Sequence, residues 1–310
     1  MKDGSGSHND KTGDCLFLLI FAGAFCYKTG AIKAEAKRAF SDLLLYLIVP
    51  VMVVNSYMVE FDPSTTKNLM KAFAWSSAAL LIGLAVTFFF TWKREDRNLP
   101  IQRFACIFSN AAYMGFPLIQ ALFGAEGLIY ASAFVTMFNM LLWTIGYAMI
   151  SDKIKGKEVL SSILRTPVVY AVILGMLLYF LQIPVPELVK KPCELISNMN
   201  TPLSMVITGM LMAASNVGRI IKSGKLWLVV ILRMLVIPAI CVGVFALSGL
   251  KGIVAEVVLL LEACPSAAIT SVFAVQFHYD EEFVTGLVVV TTIVSIVTLP
   301  LCAMLLTTRF

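Results

Sequence analysis

Apolar residues run along this chain in blocks of about twenty, the length a helix needs to cross a hydrocarbon layer, and short polar stretches separate them. The blocks fall at 15–28, 42–59, 70–92, 101–123, 127–150, 167–186, 193–214, 224–247, 252–277 and 281–307, which predicts ten membrane spans. The first is short, since only Cys15 to Tyr27 is apolar, and reads as a stubby span or a half-buried helix. Residues 1–14, with Gly4-Ser5-Gly6-Ser7 and alternating charges, have linker composition and are expected to form a disordered tail.

Polar exceptions inside the blocks carry the chemistry. In the fourth block Ser109-Asn110 is followed by Gly115 and Pro117, residues that disfavour helix. At membrane depth an opened backbone is tolerated only where it is buried in protein or lines a cavity. Such a place suits substrate binding in a transporter. A fainter echo, Cys264-Pro265-Ser266-Ala267-Ala268, lies in the ninth block. Counting from Ile101 or Gly252 at about 1.5 Å per residue, Asn110 and Pro265 lie roughly 14 and 20 Å into a layer about 30 Å thick. A broken helix there offers free N–H groups and a positive dipole end, which favour a carboxylate. The plainer alternative makes Asn110 a hydrogen-bonding contact to a neighbouring helix and the Gly and Pro a packing kink. Ser109, Ser266 and Thr270 also have an ordinary role open to them, bonding carbonyls one turn back.

The segment 151–166, basic and polar, divides the chain into halves of five spans each, 15–150 and 167–310. An odd number of spans per half makes a shared fold an inverted repeat. A shift of 156 positions pairs Asn110 with Ser266, Gln120 with Gln276, Thr136 with Thr292 and Asn139 with Ser295, so polar exceptions coincide.

Composition fits the bilayer: 59% hydrophobic, 14% charged, mean hydropathy +0.87. Of the 24 Lys and Arg, fifteen fall in loops or at block ends on one side, eight on the other, and Arg233 alone lies deep within a span. The positive-inside bias then places both termini outside the cytoplasm of a multi-pass protein in the cell membrane. The net charge of +5 is explained by that asymmetry and implies no nucleic-acid partner. The 7 cysteines lack CxxC spacing, and the 2 histidines, His8 and His278, make no metal cluster with each other. No catalytic or phosphate-loop motif occurs, so an enzyme is not expected.

Taken in order, Leu47-Ile48-Val49-Pro50, Ser109-Asn110, Met114-Gly115-Phe116-Pro117, Asn139, Thr201-Pro202-Leu203, Cys264-Pro265-Ser266 and Leu299-Pro300-Leu301 resemble the auxin efflux carrier family. The resemblance runs from about Leu16 to the C-terminus. It implies an all-α polytopic membrane protein of ten transmembrane helices in two inverted five-helix repeats, a scaffold part and a transport part, with helices four and nine broken and crossed. It assigns Asn110 to the first crossing, in contact with an anionic substrate, and Pro265-Ser266 to the second. The plant members' long cytoplasmic loop is missing, which favours a prokaryotic carrier. The third span, Phe73 to Trp92, lacks the charged pair of plant carriers.

Glu262 lies one turn before Pro265 and is the candidate proton carrier. Its other reading is a salt bridge to Arg233, and the two could hold at different steps. Asp42 and Glu194 open the second and seventh blocks, where capping is their ordinary role. The expected function is a secondary carrier of a carboxylate-bearing organic anion, auxin-like or a dicarboxylate, working by alternating access. Its expected partners are that substrate, the lipid bilayer and a second copy in a homodimer, with no cofactor beyond a coupling proton or Na+. The alternatives are a sodium-coupled bile-acid-like symporter and a sensor or channel that has kept the fold. The candidate substrate set is Asn110, Ser109, Gly115, Pro117, Pro265, Ser266 and Asn139, and the coupling set is Glu262 and Arg233.

Overall fold

The computed structural model describes residues 18–33, 35–151, 167–214 and 221–309. The tail at 1–14 and the segment 152–166 lie outside the described residues. Every regular element among the described residues is helical: α1 (Leu18–Lys28), α2 (Ala36–Leu43), α3 (Val49–Ser56), α4 (Pro63–Thr91), α5 (Leu99–Ile107), α6 (Phe116–Leu141), α7 (Tyr147–Ser151), α8 (Pro167–Leu181), α9 (Glu187–Asn198), α10 (Asn200–Ala214), α11 (Gly224–Ile231), α12 (Ile237–Leu247), α13 (Ile253–Glu262), α14 (Ile269–Gln276) and α15 (Glu281–Arg309). Five helical runs among the described residues are long and apolar enough to span a bilayer, one of them kinked, and α1 and α8 are shorter apolar helices.

Four five-residue π-segments interrupt these helices, at Leu44–Ile48, Ala111–Gly115, Leu142–Gly146 and Leu232–Val236. Three end two residues before a proline: Pro50, Pro117 and Pro238. A proline ring collides with the carbonyl four residues back. Those carbonyls belong to Tyr46, Tyr113 and Met234, the middle residue of each π-segment, and the wider π turn accommodates the collision without ending the helix.

Between the fourth and fifth blocks two helices meet without a loop, at a kink at Gly124 (φ 59°, ψ −146°), a backbone conformation only glycine adopts readily. The structure redraws two expected helix starts. Glu194 is not a cap, because α9 already starts at Glu187 behind Pro186; it pairs with Lys191 at 3.2 Å. Asp42 sits near the end of α2, which begins at Ala36, rather than at a helix start.

The chain condenses into two compact units. The first takes the described residues of Met1–Thr65, Ala112–Ile129 and Pro167–Ser215. In it α3 packs on α8 and α9, with Tyr57 and Tyr179 fully buried and edge to face at 6.4 Å. The short α1 is held by backbone approach. A Cβ on Gly23 would lie 2.1 Å from the carbonyl oxygen of Val206, and one on Gly209 would lie 1.9 Å from that of Ile20. Small residues of this kind let membrane helices come together where lipid provides no hydrophobic drive.

The entry into α4 is also fixed in this unit. The Tyr179 hydroxyl accepts from the Asp62 N–H at 3.0 Å and donates to the Asp62 carbonyl at 2.8 Å. The Asp62 carboxylate accepts from the Ser64 hydroxyl and from the N–H and hydroxyl of Thr65 at 2.8 and 2.9 Å, ahead of Pro63 at the first helical position. Those donors, the Ser64 hydroxyl first, hold its pKa down at about 2. A depressed carboxyl stabilises the fold above its unfolded pKa of roughly 4 and loses that contribution as pH falls through about 2. Protection factors of the amides in the first turn of α4, exchange rates taken relative to the intrinsic rate at each pH, are therefore expected to fall between about pH 4 and pH 2 in the wild type, and to show no such step in Asp62→Asn.

The second unit takes the described residues of Thr66–Ala111, Tyr130–Thr166 and Asn216–Phe310. Its core joins α5, α14 and α15 through Ile101, Phe104, Ile107, Phe108, Phe273 and Val284. Phe104 lies 4.4 Å from Phe108 and 5.4 Å from Phe273 between ring centroids.

Candidate functional site

Two helices of the second unit stop inside it. α5 ends at Ile107, and Phe108 turns extended (φ −97°, ψ 116°). α13 ends at Glu262, and the chain is irregular until α14 starts at Ile269. The two openings face each other. The Asn110 N–H donates to the Pro265 carbonyl at 2.7 Å, and the Ala267 N–H donates to the Phe108 carbonyl at 2.9 Å. Ser109 and Ser266 form an antiparallel bridge between them. Each break thus satisfies backbone groups that the other leaves open, which a buried interruption requires.

Side chains complete the pairing. Ser266 Oγ donates to the Ala105 carbonyl at 2.8 Å, and its N–H reaches Thr291 Oγ1 on α15 at 3.3 Å. Arg233, fully buried in the π-segment after α11, donates through Nε to the Cys264 carbonyl at 2.9 Å. Its Nη1 reaches the carbonyls of Cys106 and Ile107 at 3.0 and 3.2 Å and Glu262 Oε1 at 2.9 Å, and its Nη2 donates to the Glu262 carbonyl. The Arg233–Glu262 pair has no solvent exposure on either side.

Several polar atoms at the crossing are left over. Glu262 Oε2, Ser109 Oγ and Thr270 Oγ1 are buried with no hydrogen-bond partner among the described residues. Asn110 is 6% exposed, and its side chain has no hydrogen-bond partner among the described residues. Directly after it the chain winds into the π-segment at Ala111 and then α6, so the amide stands at a helix start whose first N–H groups have no intrahelical acceptor.

Of the residues singled out from sequence, the structure brings Ser109, Asn110, Pro265, Ser266, Glu262 and Arg233 together in this unit. Gly115 and Pro117, at the head of α6, belong to the other unit. The Asn139 amide donates to the Val135 carbonyl of its own helix at 2.8 Å.

The first unit contains a polar cavity of about 410 Å³ that sequence reasoning did not assemble. Asn55 and Ser56 from α3, Gln120 and Gly124 from α6, and Glu194 and Asn198 from α9 line it. Asn55 Oδ1 is buried with no partner among the described residues, while Gln120 Oε1 accepts from the Thr201 hydroxyl at 3.4 Å. Scattered amides gave the only sequence signal, and three separate helices had to be assembled before they met.

An all-helical chain with several membrane-length helices and two facing helix interruptions has the build of a membrane transporter. The sequence model of the membrane transport protein family matches at residues 15–162 and again at 155–303, and the chain belongs to this family, that of the auxin efflux carriers. It is similar to an uncharacterized transporter of Methanocaldococcus jannaschii, 23% identical over 303 residues that cover 92% of this chain and 95% of the relative. It is also similar to an uncharacterized transporter of Methanothermobacter thermautotrophicus, 21% identical over 299 residues, 94% of this chain and 96% of that one.

Proposed function

We propose that this transporter is a secondary carrier that moves a carboxylate-bearing organic anion by alternating access, with the substrate carboxylate held beside Asn110. The observation that carries this reading is the Asn110 side chain, nearly buried, unpartnered among the described residues, and set at a helix start. An amide supplies N–H donors, and the helix start adds the positive end of its dipole. Both features suit an anion. Ser109, Pro265 and Ser266 shape the break around it, and Gly115 and Pro117 allow the turn that follows. Asn139, with its amide committed to Val135, has the lesser role in this set.

Coupling is assigned to Glu262, whose Oε2 is the buried acceptor left over beside the pair with Arg233. A proton or a Na+ ion would complete it. The wider reading is ten spans in two inverted repeats, with both termini outside the cytoplasmic membrane. An interruption in each half of the chain and the Lys and Arg distribution support it. A homodimer fits the same reading.

The test is thermal unfolding of purified protein with indole-3-acetate, malonate and other small carboxylates, with and without Na+ at two pH values, in wild type and Asn110→Ala. A ligand at a hundred times its Kd stabilises by about 2.7 kcal/mol. At least one acid is expected to raise the melting temperature of the wild type and to leave Asn110→Ala unmoved while that variant folds normally. A full shift in Asn110→Ala would displace the site, and no shift with any acid would remove the carboxylate. In vesicles, accumulation of that acid against its gradient separates a carrier from a channel.

A further inference from the structure

Arg233 stood out in the sequence as the single basic residue deep within a span, with Glu262 as its obvious partner. The structure gives it more than a counter-ion. Four of its five acceptors are backbone carbonyls: Cys106 and Ile107 at the end of α5, and Glu262 and Cys264 at the end of α13 and in the break after it. The last carbonyls of a helix have no intrahelical donor, and each C-terminus carries about half a negative charge. Two such ends add to the attraction that the Glu262 carboxylate exerts on a single guanidinium. Its planar fork of five N–H donors also lets one side chain reach two chain ends at once.

We propose that Arg233 is the positioning residue of the crossing: it ties the C-terminal ends of α5 and α13 to one another, and so sets the register in which Phe108–Asn110 and Pro265–Ala267 pair. The π-segment Leu232–Val236 contributes by placing the guanidinium, because a π turn alters the direction in which a side chain leaves the helix. Its effect on transport rests on the Asn110 reading above, but the geometric role stands apart from it and is tested without a substrate.

The bridge itself is the reporter. The hydrogen bonds run from the residue after Ser109 to the residue before Ser266, and likewise in reverse. Ser109 and Ser266 are therefore a non-hydrogen-bonded antiparallel pair, with Cα atoms about 4.5 Å apart, inside the range a disulfide accepts. In a background free of the 7 native cysteines, Ser109→Cys/Ser266→Cys is oxidised in membranes with copper phenanthroline, and the rate of disulfide formation is followed by loss of alkylation. The parent is expected to cross-link nearly completely. Adding Arg233→Met should slow the reaction at least tenfold below that variant's own melting temperature. Arg233→Lys, which keeps the charge but loses the fork, should fall between the two. A folded Arg233→Met that cross-links at the parental rate would overturn the proposal. If Arg233→Met does not fold, Arg233→Lys decides: a parental rate there would show that the charge suffices and would overturn the role given to the fork. Loss of ligand binding in Asn110→Ala with unchanged cross-linking would leave this inference standing while testing the substrate site alone.

Discussion

Gly209→Val is expected to lower the melting temperature of the purified protein by about 6 °C or more. The Cβ of any residue at 209 would fall 1.9 Å from the Ile20 carbonyl oxygen and 2.8 Å from the Ala24 nitrogen. Both atoms are backbone, so no rotamer change relieves the contact and α1 must back away from α10. Overpacking in a core typically costs 1–3 kcal/mol, and a forced separation of two helices belongs at or beyond the upper end. One kcal/mol moves the midpoint of a large domain by about 2–4 °C. Gly23, which meets the Val206 backbone at 2.1 Å, should behave alike. Gly243→Ala in α12 is the control. No atom lies within 4 Å of its added Cβ, and alanine is the better helix former by about 1 kcal/mol, so its melting temperature should hold or rise. Equal behaviour of the two variants in one detergent would dismiss the close approach as the seat of α1.

Glu262→Ala is expected to destabilise the protein by about 3–5 kcal/mol, because removing one partner of a buried ion pair leaves the other charge uncompensated. Arg233 keeps its four carbonyl acceptors, which places the cost toward the lower figure. Glu262→Gln retains an oxygen for Nη1 and should cost much less. The contrast between the two separates loss of a partner from loss of a charge. If Glu262 is also the coupling group, Glu262→Gln abolishes the pH dependence of substrate uptake. The titratable groups around it are Arg233 on the π-segment, Cys241 on α12 and Cys264 in the break, while Gly83 on α4 and Ile237 contribute no charge. An unchanged pH profile in that variant would end the role of Glu262 in coupling.

The breaks were legible from sequence because an amide, a glycine and prolines in an apolar block have few other uses. Arg233 and Glu262 were legible for the same reason, as lone charges in apolar surroundings. What stayed hidden was the set of carbonyls that Arg233 serves, since every residue carries a carbonyl and no side-chain pattern marks which ones are orphaned. The π-segments were hidden too, although Pro50, Pro117 and Pro238 marked three of them; the one at Leu142–Gly146 has no such proline. The seat of α1 depended on Gly23 and Gly209, which in a one-dimensional reading look like any small membrane residues. The cavity at Asn55, Gln120 and Asn198 was out of reach because its walls come from helices far apart in the chain.

The full neutrality of the buried Arg233–Glu262 pair bears on membrane voltage. A pair whose charges cancel can change its depth in the electric field with almost no work, whereas an unpaired elementary charge costs about 2.3 kcal/mol per 100 mV. If the proposed carboxylate carrier coupled through Glu262 is right, the current in a transport step with Glu262 ionised is that of the cargo alone, whereas with Glu262 protonated the Arg233 charge cancels a bound monocarboxylate and the loaded step is electrically silent.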